Sequence, residues 1–191
     1  DGNMNVKTDQ AALLTRCFDM LKAYGIYVDK ARMDAGSYVR EVVKAVEQNS
    51  KKFYIRANRC EHLTNELLKN HNWEKVEINH IIYEVCSIEY QPFGCGKGEE
   101  KKSYRLVVSR EKTDDQQMDL LTGDTMKYRS ILTNDRESSD KEVIEYYNKR
   151  GTEEKTIDIL NNDFGWGKMP FSFMEENTVF SYKCTGYYNK A

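Results

Sequence analysis

The segment IYVDKARMDAGSYVREVVKAVEQNSKKFYIRAN, residues 26–58, decides the fold class. Its first eight residues and the closing FYIRAN are rich in β-branched and aromatic side chains, so both are predicted strands. Ser37 is predicted to cap a helix between them. A strand, a helix and a strand joined by short connections form a βαβ unit with parallel strands and a right-handed crossover. Four valines at the spacing of an amphipathic helix support the helix: Val39, Val42, Val43 and Val46.

Asp34 follows the first predicted strand of this unit directly. Open α/β sheets place their ligand sites at the carboxyl ends of parallel strands. The Asp34 carboxylate is therefore a candidate site residue.

A second informative stretch, SSDKEVIEYYNKRGTEEKTIDILNNDFG, covers residues 138–165. Ser139 with Glu142 three residues later forms a capping box, and Gly165 suits a C-terminal cap. Gly151 in the interior costs about 1 kcal/mol relative to Ala, which the packing of an apolar face can offset. The pattern predicts a helix.

One face of that helix carries Tyr147, Arg150 and Glu154, because spacings of three and four residues bring side chains together on a helix. The two carboxylates of Asp34 and Glu154 are hard oxygen ligands of the kind that Mg²⁺ prefers. From the residues alone, a helix N-cap acid and a solvated helix carboxylate are the more common explanation of such a pair.

The rest of the chain frames these two segments. A helix from Thr8 to Tyr24, ended by Gly25, is predicted before the first strand. Residues 59–124 are predicted as a mostly antiparallel β insertion, because a short helix is followed by segments of alternating hydrophobicity. A strand near residue 126 then leads back to the helix over residues 138–165. The predicted fold class is α/β with a mixed α+β sheet.

The composition limits the function classes. The chain has 191 residues, of which 39% are hydrophobic and 31% charged, so it can form a globular core. Its formal net charge of -2 gives no global signature of nucleic-acid or membrane binding. No apolar run approaches the roughly 20 residues of a membrane helix. We expect a cytoplasmic protein with reduced thiols, because its five cysteines form no disulfide framework.

The segments MDAGSY, FYIRAN, LTN and YNKRGTEEKTIDILNNDFG together resemble the DDE transposases of bacterial insertion sequences. The resemblance is to the group with the signature Tyr-x2-Arg-x3-Glu-x6-Lys. It covers roughly residues 8–58 and 125–191, and the β insertion lies where that group interrupts its core.

The resemblance implies a ribonuclease-H-like core, with residues 1–58 as its first part, 59–124 as the insertion and 125–191 as the remainder. It implies that Asp34 is the second catalytic acid and Glu154 the third, and that both bind Mg²⁺, which Mn²⁺ can replace. Tyr147 and Arg150 would contact DNA near the transposon end, since Arg forms bidentate contacts with phosphate. The full-length protein is expected to be a homodimer on DNA, without a membrane partner.

The sequence departs from the family pattern in two places. The Lys of the signature falls at Asn161, which removes one expected phosphate contact. The first catalytic Asp of the family lies on a strand before the helix that we place at residues 8–24. We therefore expect that this acid and the first three strands of the core are absent, and that the chain alone is inactive.

Three other interpretations stay open. A nuclease or Holliday-junction enzyme on the same fold would share the acids. A non-catalytic DNA-binding or protein-interaction domain derived from a transposase would keep the fold without the activity. A zinc site is a weaker alternative, because no pair of the candidate ligands has the spacing of a zinc finger. These candidates are Cys60, His62, His71, His80, Cys86 and Cys95.

Overall fold

The computed structural model describes residues 9–58, 60–69, 72–93, 102–112, 125–151, 159, 162, 170, 173 and 175–179. The chain divides into two compact units, residues 1–147 and 148–191. Across the described ranges, no helix has both the length and the apolar character that crossing a membrane requires. The helices with defined bounds are α1 (Gln10–Ala23), α2 (Arg40–Asn49), α3 (Glu61–Lys69) and α4 (Asp140–Asn148).

The first unit contains one six-stranded sheet, in the order β1-β2-β6-β5-β4-β3. β1 and β2 are parallel, as the βαβ pattern predicts, and every other neighbouring pair is antiparallel. The mixed α/β fold class is confirmed at this level. The strands are β1 (Val28–Met33), β2 (Ser50–Arg56), β3 (Glu74–Ile78), β4 (Ile81–Tyr90), β5 (Tyr104–Lys112) and β6 (Met126–Thr133).

Helix α1 ends at Ala23, and Gly25 stops it as predicted. The φ of Gly25 is 74°, which is readily adopted only by a residue without a Cβ. Gly25 N–H donates to the Lys22 carbonyl at 2.9 Å, and Ile26 N–H donates to the Leu21 carbonyl at 2.9 Å. These two bonds form a Schellman motif, which satisfies carbonyls at the helix end and turns the chain toward β1.

Apolar side chains cover both faces of the sheet. On one face, Val42 and Val46 of α2 pack with Phe53 and Ile55 of β2. The side chains on the other face form a second cluster with α4. Its buried members are Tyr54, Ile78, Tyr83, Val85, Val107, Ile131, Val143, Ile144 and Tyr147. Because successive strand residues face opposite sides, neighbouring β2 residues contribute to different clusters.

One local prediction is wrong. Helix α2 begins at Arg40 rather than next to Ser37, and its N-cap is Val39. Ser37 instead ends a short 3₁₀ turn, Ala35–Ser37, because its backbone and hydroxyl bond to Asp34. The turn between β3 and β4 consists of Asn79 and His80, with φ values of 51° and 65°. Asn tolerates this backbone region better than most residues, and two-residue hairpin loops require it.

The predicted helix over residues 138–165 is described only in part. Its capping box is confirmed, since Ser139 N–H donates to the Glu142 carboxylate at 2.7 Å and Glu142 N–H donates to Ser139 Oγ at 3.3 Å. The described helix, α4, runs from Asp140 to Asn148. Most of the predicted continuation beyond Gly151 lies outside the described residues. The boundaries proposed at residues 58 and 124 stay a prediction.

Candidate active site

The Asp34 carboxylate lies where the sequence predicts it, directly after the parallel strand β1, and it is exposed. Its Oδ1 accepts hydrogen bonds from Ser37 N–H and Ser37 Oγ, both at 3.2 Å. Asp34 thus caps the 3₁₀ turn Ala35–Ser37. Within the described part of the chain, both hydrogen bonds go to Oδ1, which leaves Oδ2 able to bind a ligand.

The turn that carries Asp34 is fixed from several sides. Ser37 is 2% exposed, and its hydroxyl also accepts a hydrogen bond from Gln10 Nε2 of α1 at 2.7 Å. Asn58, beyond β2, donates from Nδ2 to the Ala35 carbonyl at 3.0 Å. A Cβ on Gly36 would lie 3.1 Å from Asp34 Oδ1, so the absence of a side chain lets the turn close on the carboxylate. The carboxylate is therefore held in one orientation.

Tyr147 of α4 reaches the same end of β1. Its side chain is 6% exposed, and its hydroxyl donates to the Met33 carbonyl at 3.1 Å, one residue before Asp34. Next to it, Arg32 Nη1 donates to the Tyr146 carbonyl at 2.8 Å, and the Arg32 guanidinium lies 4.8 Å from the Tyr146 ring centroid. The structure thus brings Tyr147 and Asp34 to one strand end.

The other predicted site residues are less fully placed. Arg150 is half-buried in the second unit. Glu154 and Asn161 lie outside the described residues, so the pairing of Asp34 with Glu154 stays a prediction. DNA contacts by Tyr147 and Arg150 are likewise untested. The Tyr147 hydroxyl, however, already has a backbone acceptor.

The metal-ligand chemistry fits Asp34 itself, because an exposed carboxylate oxygen at a strand end is the hard ligand that Mg²⁺ binds. Among the residues that the structure describes, no three His, Cys, Asp or Glu side chains come close enough together to hold an ion. Cys60 Sγ and His62 Nδ1 lie 3.8 Å and 3.4 Å from the Tyr90 hydroxyl. Cys60 and His62, two residues of the zinc alternative, thus both contact the hydroxyl of Tyr90.

A buried acid that the sequence analysis missed lies between β6 and α4. We call residues 134–139 the Asp135 turn. Asp135 is completely buried, and its Oδ1 accepts hydrogen bonds from Lys52 Nζ at 2.9 Å, Glu137 N–H at 3.0 Å and Ser138 N–H at 3.2 Å. Its Oδ2 accepts from the Tyr54 hydroxyl at 2.7 Å and from Ser138 Oγ at 2.6 Å.

These contacts decide the charge state of Asp135. Burial by itself raises the pKa of the carboxyl, because a charge is costly away from water. Hydrogen bonds from Ser138, Lys52 and Tyr54 outweigh burial and hold the pKa well below its usual range. The ionised carboxylate is therefore the stable form. The Asp and Ser residues that follow β6 are typical of a turn, and this is the sequence signal that could have drawn attention to Asp135.

The guanidinium of Arg105 in β5 holds the backbone of the same turn. Its Nη1 donates to the Asp135 carbonyl at 2.9 Å and to the Ser138 carbonyl at 2.6 Å. Its Nη2 donates to Asp140 Oδ1 at 2.7 Å, at the start of α4. One side chain thus joins the central sheet to the first residue of the helix.

In the sequence, the basic residues around Tyr54 suggest either a DNA-facing rim beside Asp34 or a solvated strand edge; they are Lys51, Lys52, Arg56 and Arg59. Arg59 lies outside the described residues. β2 is not an edge strand, since it lies between β1 and β6. Tyr54 is 1% exposed and binds Asp135, and Lys52 pairs with Asp135 and Glu137.

The exposed Asp34 carboxylate lies at the end of a parallel strand, where open α/β domains place their ligand sites. The family model of the transposase DDE domain matches residues 3–190, and the chain belongs to that family. Members of this family are enzymes that cut and transfer DNA strands with divalent metal ions. No curated protein matches the chain.

Proposed function

We propose that this chain forms part of the catalytic domain of a DDE transposase, which cleaves DNA at transposon ends and joins it to a target in the cytoplasm. The observation that carries the proposal is the exposed Asp34 carboxylate at the carboxyl end of β1, in a chain that matches the transposase DDE domain over residues 3–190. The β1–α2–β2 unit would be part of a ribonuclease-H-like core, and β3, β4 and β5 would belong to its insertion.

In this proposal Asp34 and Glu154 hold Mg²⁺, with Mn²⁺ as a substitute. The bound ion would activate water, and then a DNA 3′-hydroxyl, and would stabilise the leaving oxygen of the phosphodiester. Ser37 orients Asp34 by occupying Oδ1. Arg150 would bind a DNA phosphate through its planar guanidinium. Tyr147 would support the strand end through its hydroxyl, and any DNA contact would be limited to the 6% of the residue that is exposed.

A DDE site has three acids, and Asp34 and Glu154 account for two. We propose that the protein acts as a homodimer on paired DNA ends. Sedimentation of that protein with end DNA tests the dimer, and a complex that holds one protomer on each DNA contradicts it.

The test of the catalytic assignment compares Asp34→Asn and Glu154→Gln with the unchanged protein, on DNA that carries the terminal repeats flanking its gene. The cleavage rate of each variant should fall by more than the loss of about 10- to 100-fold that follows removal of a supporting residue in a metal site. DNA affinity should stay within a few-fold. Asp29→Asn is the matched control, because Asp29 is an exposed β1 carboxylate paired with Lys51.

The same assay separates the alternatives. A transposase joins the cleaved 3′ ends to a second DNA, whereas a nuclease on the same fold cleaves without joining. A non-catalytic binding domain retains end binding and never cleaves, even with Mn²⁺. Full activity of Asp34→Asn would exclude the proposed site.

A further inference from the structure

Helix α4 contacts the end of β1 directly. Within the described sheet β1 pairs with β2. Across its face, the Tyr147 hydroxyl binds the Met33 carbonyl at 3.1 Å, and Arg32 binds the Tyr146 carbonyl at 2.8 Å. A shift of α4 would therefore move the residues that immediately precede Asp34.

The position of α4 is in turn set by the Asp135 turn. The Asp135 carboxylate is bonded to Lys52 and Tyr54 of β2, and Arg105 of β5 binds two carbonyls of the turn. Both strands are internal to the sheet and contribute residues that are fully buried, such as Phe53 and Leu106. The turn thus connects the rigid middle of the sheet to the start of α4.

We propose that Asp135 is a positioning residue for the transposase reaction: through the Asp135 turn and α4 it fixes the end of β1 that carries Asp34. The link to catalysis rests on the function proposed above. The mechanical link from Asp135 to the end of β1 does not, since it is carried by hydrogen bonds between residues of the first unit. Asp135 itself touches neither metal nor DNA in this proposal.

The charge of the carboxylate is what the turn requires. An amide in place of the Asp135 carboxylate keeps the shape but has one acceptor oxygen, whereas Oδ1 and Oδ2 together accept five hydrogen bonds. With the amide oxygen at the Oδ1 position, the charge that pairs with Lys52 is lost, and the Tyr54 and Ser138 hydroxyls must reorient to accept from the NH₂ group. A buried donor or acceptor that loses its hydrogen-bond partner raises the free energy of the folded turn, so the turn should loosen. The core clusters away from α4 keep their packing.

The experiment uses Asp135→Asn in the full-length protein, with hydrogen exchange measured by mass spectrometry. Exchange in residues 28–38 and 140–147 should accelerate about tenfold or more, while residues 104–110 stay protected, because local opening involves only the loosened segment. In the cleavage assay, kcat should fall about 10- to 100-fold, the loss expected when a reacting group is misplaced by about 1 Å. DNA affinity should stay within about twofold, since neither DNA contact is removed.

Mn²⁺ binding without DNA gives a readout besides activity. Titration calorimetry of the full-length protein should show weaker Mn²⁺ binding for Asp135→Asn than for the unchanged protein. Glu137→Gln is the matched control, because Glu137 also pairs with Lys52, at 2.7 Å, but its side chain is 84% exposed. It should change neither exchange nor kcat nor Mn²⁺ binding.

Ser138→Ala is the second variant, in case Asp135→Asn unfolds the whole domain. It removes one bond to Asp135 Oδ2 and should reproduce the selective loosening at smaller amplitude. The proposal would be overturned if hydrogen exchange accelerated equally in all segments of both variants. It would also be overturned if exchange near Asp34 did not change. Selective loosening combined with full activity of Asp34→Asn would keep the mechanical link and overturn the catalytic assignment instead.

Discussion

The hydroxyl of Tyr147 donates a hydrogen bond to the backbone carbonyl of Met33, 3.1 Å away and 114 residues earlier in the chain. This bond joins α4 to the last residue of β1, which directly precedes Asp34. It gives Tyr147 a structural role that is separate from any contact with DNA, because its ring is buried with Val143 and Ile144.

Tyr147→Phe removes the hydroxyl and keeps the ring. We expect the free energy of unfolding to fall by about 1 kcal/mol, the usual net contribution of such a hydrogen bond, measured by urea denaturation. Tyr146→Phe is the control, since it keeps the ring that lies beneath the Arg32 guanidinium. An unchanged stability together with a large loss of DNA affinity would assign Tyr147 to DNA alone.

Gly36→Ala tests how the Asp34 carboxylate is oriented. The added Cβ would lie 3.1 Å from Asp34 Oδ1, closer than carbon and oxygen ordinarily approach, so the carboxylate must rotate or shift. We expect Mn²⁺ affinity to fall several-fold, while the unfolding free energy changes little because Gly36 is exposed and outside the left-handed region. Gly151→Ala, where the new Cβ would meet open space, is the control. Equal Mn²⁺ affinities for the two variants would contradict the orienting role.

The βαβ unit was predictable because its signal is local. The three valines of α2 are at most 1% exposed, and the spacing of the residues alone assigns them to one face. The end of β1, and with it the place of Asp34, follows from the same short segment. The capping box of α4 was predictable for the same reason, since its two residues are three positions apart.

The Asp135 turn could not be predicted in this way, because its partners come from distant parts of the chain. Lys52 lies 83 residues before Asp135, and Arg105 lies 30 residues before it. The burial of Tyr54 depends on β6 pairing beside β2, which the alternation within FYIRAN does not reveal. Side chains that connect strands need the strand order before their roles can be inferred.

Ser139→Ala tests the capping box. The Ser139 hydroxyl accepts from Glu142 N–H at 3.3 Å, and replacing such an N-cap by Ala costs about 1 kcal/mol of unfolding free energy. Ser139→Gly should cost only a few tenths of a kcal/mol, because glycine is an acceptable N-cap. Thermal and urea unfolding of the two variants measure the difference. If neither variant lost stability, helix entry would be set by the Asp135 turn alone.

The charge of Asp135 predicts how stability depends on pH. The folded state holds the pKa of this carboxyl below its usual range, so its contribution is fully present above the unfolded pKa of about 3.9 and is lost as the pH falls toward the folded pKa. The difference in unfolding free energy between the unchanged protein and Asp135→Asn should therefore be constant from pH 7 to about pH 5 and should shrink below about pH 4.

Urea unfolding at a series of pH values measures this difference, and acids common to both proteins cancel in it. Asp29→Asn serves as the control, because Asp29 is exposed and its pair with Lys51 is screened by water. Its difference from the unchanged protein should be small at every pH. A difference for Asp135→Asn that did not shrink down to about pH 3 would mean that shape, rather than charge, makes Asp135 necessary to the turn.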